Sequence, residues 1–266
     1  MKKYLFFKKY QFLPLKKLGQ HFLINEAILE KIVKVAKISS KDVVLEIGAG
    51  FGNLTRKIAI KSKKVIAIEK DPRIIPLLKE NLKEYSNVKI VKGDVLKIDF
   101  NLSEDYKIVA NLPYYITSPV LELFLEKVKK KPKALFLTLQ KEMAQRICAN
   151  PPKMNSLAIF VKFYARPKII FYISKNHFWP KPKVDSALVK IVPLCSIPFE
   201  DPKKFFKIVK AGFSHPRKQL INNLSEKLKL SKEKAKNWLL KAKIPPSKRA
   251  ENLKIKDWIK LAKLDC

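Results

Sequence analysis

Up to about residue 192, short apolar runs alternate with amphipathic ones. Asn25 to Lys37 carries Ile28, Leu29, Ile32, Val33, Val35 and Ala36 at helical spacing. Val43–Ile47 then reads as a buried strand and Leu54–Ala59 as the start of a helix. Val65–Glu69 is a strand, followed by a helix from Pro72 through Leu82, because proline suits a first helical position. Val88–Val91 is a strand ending at Gly93-Asp94. Ile108–Ala110 is a strand and Pro119–Val128 a helix; Ala134–Leu139 is a strand and Glu142–Ile147 a helix. Lys168–Ile173 and Ser186–Val192 read as late strands with no obvious helix between them, which predicts an antiparallel hairpin at a sheet edge. The alternation of short buried strands with helices predicts an α/β fold, a doubly wound Rossmann-like sheet covered on both faces.

The pattern changes near Pro193–Pro202. Beyond it only helical spacing recurs, over Phe205–Phe213, Gln219–Leu228, Glu233–Leu240 and Trp258–Leu264. The expected organisation is therefore a basic N-terminal arm over residues 1–20, a sheet domain over 21–195 and a small, all-α, basic C-terminal domain over 196–266.

Charge narrows the partner. Lys and Arg number 57 against 23 Asp and Glu, a net +34 in 266 residues. Self-repulsion on that scale destabilises a compact chain, so a polyanionic partner is the natural inference. No acid precedes Glu26, whereas Lys2, Lys3, Lys8, Lys9, Lys16 and Lys17 do; from Asp201 onward 19 basic residues face 6 acidic ones. No apolar run is long enough to span a bilayer, and the N-terminal apolar stretch is interrupted by Lys8 and Lys9. The expectation is a soluble cytoplasmic protein, monomeric, with no membrane role. Cys148, Cys195 and Cys266 are scattered, as are the three His, so neither a metal site nor a disulfide framework is expected.

Three of only 6 Gly, Gly48, Gly50 and Gly52, directly follow the first strand of the sheet domain. That concentration calls for a tight turn where a ligand approaches the main chain. The spacing is G-x-G-x-G, with Asn53 where a dinucleotide fingerprint needs Gly. This favours S-adenosyl-L-methionine, which has no pyrophosphate to cradle. Glu69 closes the next strand, where an acid accepts ribose hydroxyls, and Asp94 closes the third, where a carboxylate accepts from an adenine amino group. Glu46, inside the first strand, is a candidate for contacting the methionine part or ordering nearby water.

Asn111-Leu112-Pro113-Tyr114 closes the fourth strand. An Asn-x-Pro-aromatic sequence there suits the activation of an aromatic amine. The lone pair of an adenine amine is delocalised into the ring and must be localised before it attacks a methyl group. The Asn111 side-chain oxygen and the Leu112 or Pro113 carbonyl can accept its two hydrogens, favouring the pyramidal transition state. Tyr114 can stack on the base.

With these residues in hand, the chain resembles the small-subunit ribosomal RNA adenine N6,N6-dimethyltransferases. The resemblance rests on Leu18-Gly19-Gln20-His21-Phe22-Leu23, Leu45 through Thr55, Asn111–Tyr114, Leu139-Gln140-Lys141-Glu142 and Phe178 through Ala187. It continues more weakly through Arg217-Lys218 and Asn222-Asn223-Leu224 to Arg249-Ala250-Glu251. It implies transfer of two methyl groups from S-adenosyl-L-methionine to each of two adjacent adenosines near the 3′ end of small-subunit rRNA. The implied partners are that rRNA and the small ribosomal subunit precursor. It further implies a cofactor site of His21, Leu23, Gly48, Glu69, Asp94 and Asn111. The flipped adenine would lie between Tyr114 and Phe178, with Lys181 and Lys183 on phosphates near the mouth. The competing readings are a large-subunit rRNA methyltransferase, against which Leu112 and Asp185 speak, and a DNA or protein-glutamine methyltransferase, which would carry Pro at Leu112. A non-catalytic RNA-binding assembly factor is the third, and it need not keep the Gly turn and the Asn-Leu-Pro-Tyr motif intact.

Overall fold

The computed structural model describes residues 12–15, 18–100 and 102–264, with Tyr114 described by its backbone only. The basic residues Lys2, Lys3, Lys8, Lys9, Lys16 and Lys17 lie outside the described residues. Two compact units are present. One reaches to Ala144 and resumes over Lys168–Pro193; the other comprises Gln145–Pro167 and the chain from Leu194 onward.

The first unit opens with β1 (Phe22–Leu23) and α1 (Glu26–Val35). Asn25 caps α1, its side-chain oxygen accepting from the Ile28 amide at 3.1 Å, and Leu29, Ile32 and Val33 form the buried stripe. Then follow β2 (Val43–Ile47), α2 (Asn53–Ala59), β3 (Lys64–Glu69), α3 (Ile75–Leu82), β4 (Val88–Lys92) and β5 (Tyr106–Asn111). Next come α4 (Thr117–Glu122), which runs on as a π turn over Leu123–Lys127, then β6 (Ala134–Gln140) and α5 (Lys141–Ile147). After α6 (Ser156–Tyr164) and β7 (Ala165–Ile173) come the two-residue β8 (Phe178–Trp179) and β9 (Ser186–Pro193).

Seven strands form one sheet in the order β4-β3-β2-β5-β6-β9-β7, and β1 pairs antiparallel with β8 in a separate ribbon. From β4 to β6 all pairs are parallel; β9 runs antiparallel to β6. The late strands β9 and β7 are neighbours at the sheet edge. Every residue of β2 is buried, as a central strand covered on both faces requires. Phe12, within the expected arm, is buried beside Phe51 and Phe22, at ring centroid distances of 5.0 and 6.1 Å.

α3 starts three residues after Pro72. Asp71 makes the difference: its carboxylate accepts from the Arg73 amide at 3.0 Å and its carbonyl from the Ile74 amide at 3.1 Å. This turn places Pro72 before the helix rather than in it.

The second unit contains α6 and the helices α7 (Pro202–Gly212), α8 (Leu220–Leu228), α9 (Lys232–Lys241) and α10 (Ile255–Lys263). α6 carries no element in the sequence reading. It lies in the unit of the C-terminal helices, so residues 145–167 fall outside the compact sheet unit. Its Phe163 ring sits 4.4 Å from that of Phe205. Trp258 is fully buried and lies so close to Gly212 that a Cβ there would stand 2.4 Å from the indole. Among the described residues no helix is long and apolar enough to cross a membrane.

Candidate active site

The parallel register aligns the strand ends: Ile47 lies beside Ile68 and Ala110, and Glu69 beside Lys92. The chain leaves β2 toward β3 on one side, whereas β5 lies on the other. The crevice outside the carboxyl ends at such a reversal is where open α/β sheets take ligands. A cleft of about 810 Å³, open to solvent, occupies that place. Gly48, Glu69, Asp94, Asn111, Leu112 and Pro113 line it from the strand ends, and residues 18–22 close it from the chain start.

The glycine turn shapes its floor. Gly48 has φ +74°, and its amide and that of Ala49 donate to the Ile68 carbonyl at 2.9 and 3.0 Å. A Cβ on Gly48 would stand 3.8 Å from the Asn111 carbonyl and 3.9 Å from Pro113. Gly50, at φ +56°, donates its amide to Glu69 Oε2 at 2.8 Å, and a Cβ there would come within 2.9 Å of the Phe22 ring. Both positions favour glycine through a positive φ, and at Gly50 the Phe22 ring also leaves no room for a Cβ.

Glu69 is held by two amides: Oε1 accepts from Asp71 and Oε2 from Gly50, each at 2.8 Å. These bonds fix the carboxylate's orientation at the cleft and leave it further acceptor capacity. Burial raises its pKa against the opposing pull of the Asp71, Gly50 and Lys70 amides. Asp94 behaves oppositely. The Lys70 ammonium at 2.8 Å holds it below the usual carboxylate range, and its Oδ1 accepts from the Leu96 amide at 3.1 Å.

Asn111 has one polar side committed. Its Nδ2 donates to the His21 carbonyl at 2.8 Å, which leaves Oδ1 as the acceptor on the other side of the amide. The two backbone candidates beside it are not equivalent. The Pro113 carbonyl accepts from the Ile116 amide at 3.2 Å, whereas no described donor reaches the Leu112 carbonyl. Leu112 is itself fixed, its amide donating to the Thr138 carbonyl at 3.2 Å. The next residues, Tyr114–Ile116, form one 3-10 turn. Tyr115 is exposed at the mouth and Ile116 lines the cleft; the Tyr114 side chain lies outside the description.

His21, Gly48, Glu69, Asp94, Asn111, Leu112 and Pro113 are thus brought to one cleft. Leu23 is set back from it. It is buried and lines a smaller adjoining cavity with Glu46, Asn53 and Phe51. Phe178 pairs with Leu23 across the β1–β8 ribbon and is only 4% exposed. In this conformation its ring belongs to the core and has no open face for a base. Trp179, one residue on, stacks on Phe22 at 6.5 Å. Lys181 and Lys183 are exposed.

Glu46 is 2% exposed, and its Oε2 has no hydrogen-bond partner. Burial pushes its pKa up to about 8; the Thr55 hydroxyl works against that rise and the Glu69 charge adds to it.

Sequence reasoning passed over three polar residues. Gln20 lines the cleft, Lys70 neutralises Asp94, and Asp71 underpins Glu69. The available signal was position: Lys70 and Asp71 directly follow Glu69, and Gln20 precedes His21.

A family model described as Ribosomal RNA adenine dimethylase matches residues 14–264. Ribosomal RNA small subunit methyltransferase A of Clostridium botulinum (strain Langeland) is 42% identical over 266 residues, covering 97% of this chain and 95% of the relative. The crystal structure of a dimethyladenosine transferase from Plasmodium falciparum superposes with a TM-score of 0.79 at 32% identity, covering 90% of this chain and 95% of the other. The 23S rRNA methyltransferase ErmE shares the fold, with a TM-score of 0.75 at 23% identity over 91% and 98% of the two chains. With a family match spanning nearly the whole sequence, the chain belongs to the ribosomal RNA adenine dimethylase family.

Proposed function

We propose that this enzyme uses S-adenosyl-L-methionine to dimethylate the exocyclic amines of two adjacent adenosines near the 3′ end of small-subunit rRNA, presented as RNA or as a subunit precursor. The observation that carries the reading is the geometry at the end of β5. The Asn111 amide is oriented by His21, no described donor reaches the Leu112 carbonyl, and both residues line the cleft.

The cofactor would supply an electrophilic sulfonium methyl and leave as S-adenosylhomocysteine. Glu69 would accept ribose hydroxyls and Asp94 an adenine amino hydrogen, with the glycine turn at Gly48 lying against the ligand. Asn111 Oδ1 and the Leu112 carbonyl accept the two hydrogens of the target amine, drawing its lone pair out of the ring toward the methyl group. Methyl transfer would form the C–N bond as the donor's C–S bond breaks, and the ammonium proton would pass to water. No side chain is assigned as a general base; orientation and electrostatics supply the acceleration.

Tyr114 stacks on the flipped base in this reading. Phe178 provides the second face only if its ring leaves the core. The excess of basic residues serves the RNA backbone, so affinity should fall steeply with salt.

The test is nucleoside mass spectrometry after incubation with S-adenosylmethionine and unmethylated small subunits. Dimethyladenosine at two adjacent positions is expected. Cofactor binding without methylation of that RNA, but with methylation of large-subunit RNA, overturns the substrate assignment; absence of cofactor binding overturns the catalytic one.

A further inference from the structure

Residues 18–22 form one wall of the cofactor cleft, yet they belong to no element of the main sheet. Something must hold them there. Among the described residues, two fastenings run toward the sheet: Asn111 Nδ2 donates to the His21 carbonyl, and Gln20 donates to Asp71, a residue that does not itself line the cleft.

Asp71 is 2% exposed and both its carboxylate oxygens are doubly engaged. Oδ2 accepts from Gln20 Nε2 at 2.8 Å and from Arg73 Nη2 at 2.6 Å. Oδ1 accepts from the Arg73 amide and from Arg73 Nε, both at 3.0 Å. Gln20 passes the connection along the chain, its Oε1 accepting from the Leu15 amide at 2.8 Å. Arg73 does the same from the other side: Nη1 donates to the Leu13 carbonyl at 3.3 Å, and the guanidinium lies 4.9 Å over the Phe12 ring. Meanwhile the Asp71 amide donates to Glu69 Oε1. One buried residue therefore ties residues 12–20 to the carboxylate assigned to the ribose.

We propose that Asp71 is a positioning residue for the cofactor: its carboxylate fixes residues 18–22 as a wall through Gln20, while its amide aims Glu69. This rests on the cofactor reading above. A ligand that contacts both Glu69 and the wall shares in one hydrogen-bonded unit, so ligand binding and wall order must favour each other by the same factor. The charge matters as well as the shape. A buried carboxylate bound to a guanidinium and an amide makes charge-assisted bonds, about twice the strength of neutral ones. The neutral isostere keeps the volume and weakens the tie.

The test uses Asp71→Asn in the full chain, with S-adenosylhomocysteine binding by calorimetry and methyl transfer to small subunits. The Kd for the ligand should rise about tenfold, one charge-assisted hydrogen bond's worth. The KM for the methyl donor should rise in parallel, while kcat at saturating donor stays within about threefold, because Asp71 touches no reacting atom. Hydrogen exchange of the 18–24 amides should be faster in the unliganded variant than in the unliganded wild type, and ligand should slow it in both. A merely structural Asp71 would instead lower the melting temperature and kcat without selective exposure of that segment.

Gln20→Ala supplies the second arm, cutting the same bond from its other end. In a double-mutant cycle on ligand affinity, Asp71→Asn and Gln20→Ala should be clearly sub-additive. Additive losses, or loss of kcat with KM unchanged, overturn the positioning role. Failure of the wild type to bind the ligand at all would instead refute the cofactor reading, so the two failures are distinguishable.

Discussion

Glu46→Gln is the sharpest test of the electrostatics beneath the cleft. Glu46 sits in the middle of the fully buried β2, with one carboxylate oxygen unpartnered. Its pKa, raised from 4.5 to about 8, means that the fold favours the protonated form. The sign follows directly. The stability associated with a protonated Glu46 is fully present below pH 4.5 and is lost as the pH rises through 8. Between those limits the wild type should lose about 1.4 kcal/mol per pH unit from this group, for a total of about 5 kcal/mol. From pH 6 to pH 8 the loss is about 2 kcal/mol. Glutamine has the same shape and cannot ionise, so the variant should lack this slope. Its absolute stability carries an offset of about 1–3 kcal/mol, because the amide group brings two donors into the buried strand. The slope and not the offset is therefore the observable. The assay is urea denaturation of the cofactor-free chain at several pH values, followed by pulsed hydrogen exchange of the peptide carrying Val43–Ile47. That readout reports the sheet unit alone. A Glu46→Gln variant with the same pH slope as the wild type would refute the reasoning, since it would place an ordinary or ionised carboxylate inside the core.

The other predictions use the same geometry. Asn111→Ala should lower the single-turnover methylation rate by about 10²–10³-fold, the loss typical of an oriented donor or acceptor in a reacting site, with RNA affinity within about twofold by filter binding. Cofactor affinity should weaken as pH falls, with a midpoint above the ordinary glutamate value of 4.5, because burial raises the pKa of Glu69 and protonation removes its acceptors; Asp94, held ionised by Lys70, should not contribute over that range. Calorimetry from pH 5 to 8 checks this, and Glu69→Gln should flatten the dependence. Gly50→Ala combines a positive φ with a contact of 2.9 Å to Phe22; it should cost about 1–3 kcal/mol in denaturant titrations and should weaken cofactor binding, since the Gly50 amide helps to hold Glu69.

The strands were legible because each is a short apolar run closed by a polar or glycine residue. Val43–Ile47 matches β2 residue for residue, and β3 to β6 differ from expectation by one or two residues at their ends. The ligand-facing positions were legible for the same reason, since Glu69 and Asn111 end β3 and β5 and Gly48 and Asp94 follow β2 and β4 within two residues. What escaped was whatever depends on partners remote in sequence. The β1–β8 ribbon joins Phe22 to Trp179, and two residues are too few to show a period. α6 has an Asn155 cap but is apolar nearly all round, so it shows little of the stripe by which a surface helix is read. Pro72 is the instructive error. Proline fits the first turn of a helix, but it fits the second position of a turn equally well, and the choice was made by the Asp71 side chain folding back on Arg73. The same carboxylate reaches Gln20, 51 residues earlier in the chain. Local propensity cannot show such a residue, because its role lies in joining its near neighbours to a group 51 residues away that only the folded chain brings to it. Its neighbour Glu69 was found at once because a strand end advertises it. A cleft of this kind is therefore read from sequence in halves: the groups that face the ligand stand at the ends of periodic segments, whereas the groups that hold them have no periodicity and emerge only when each hydrogen bond is traced to its partner.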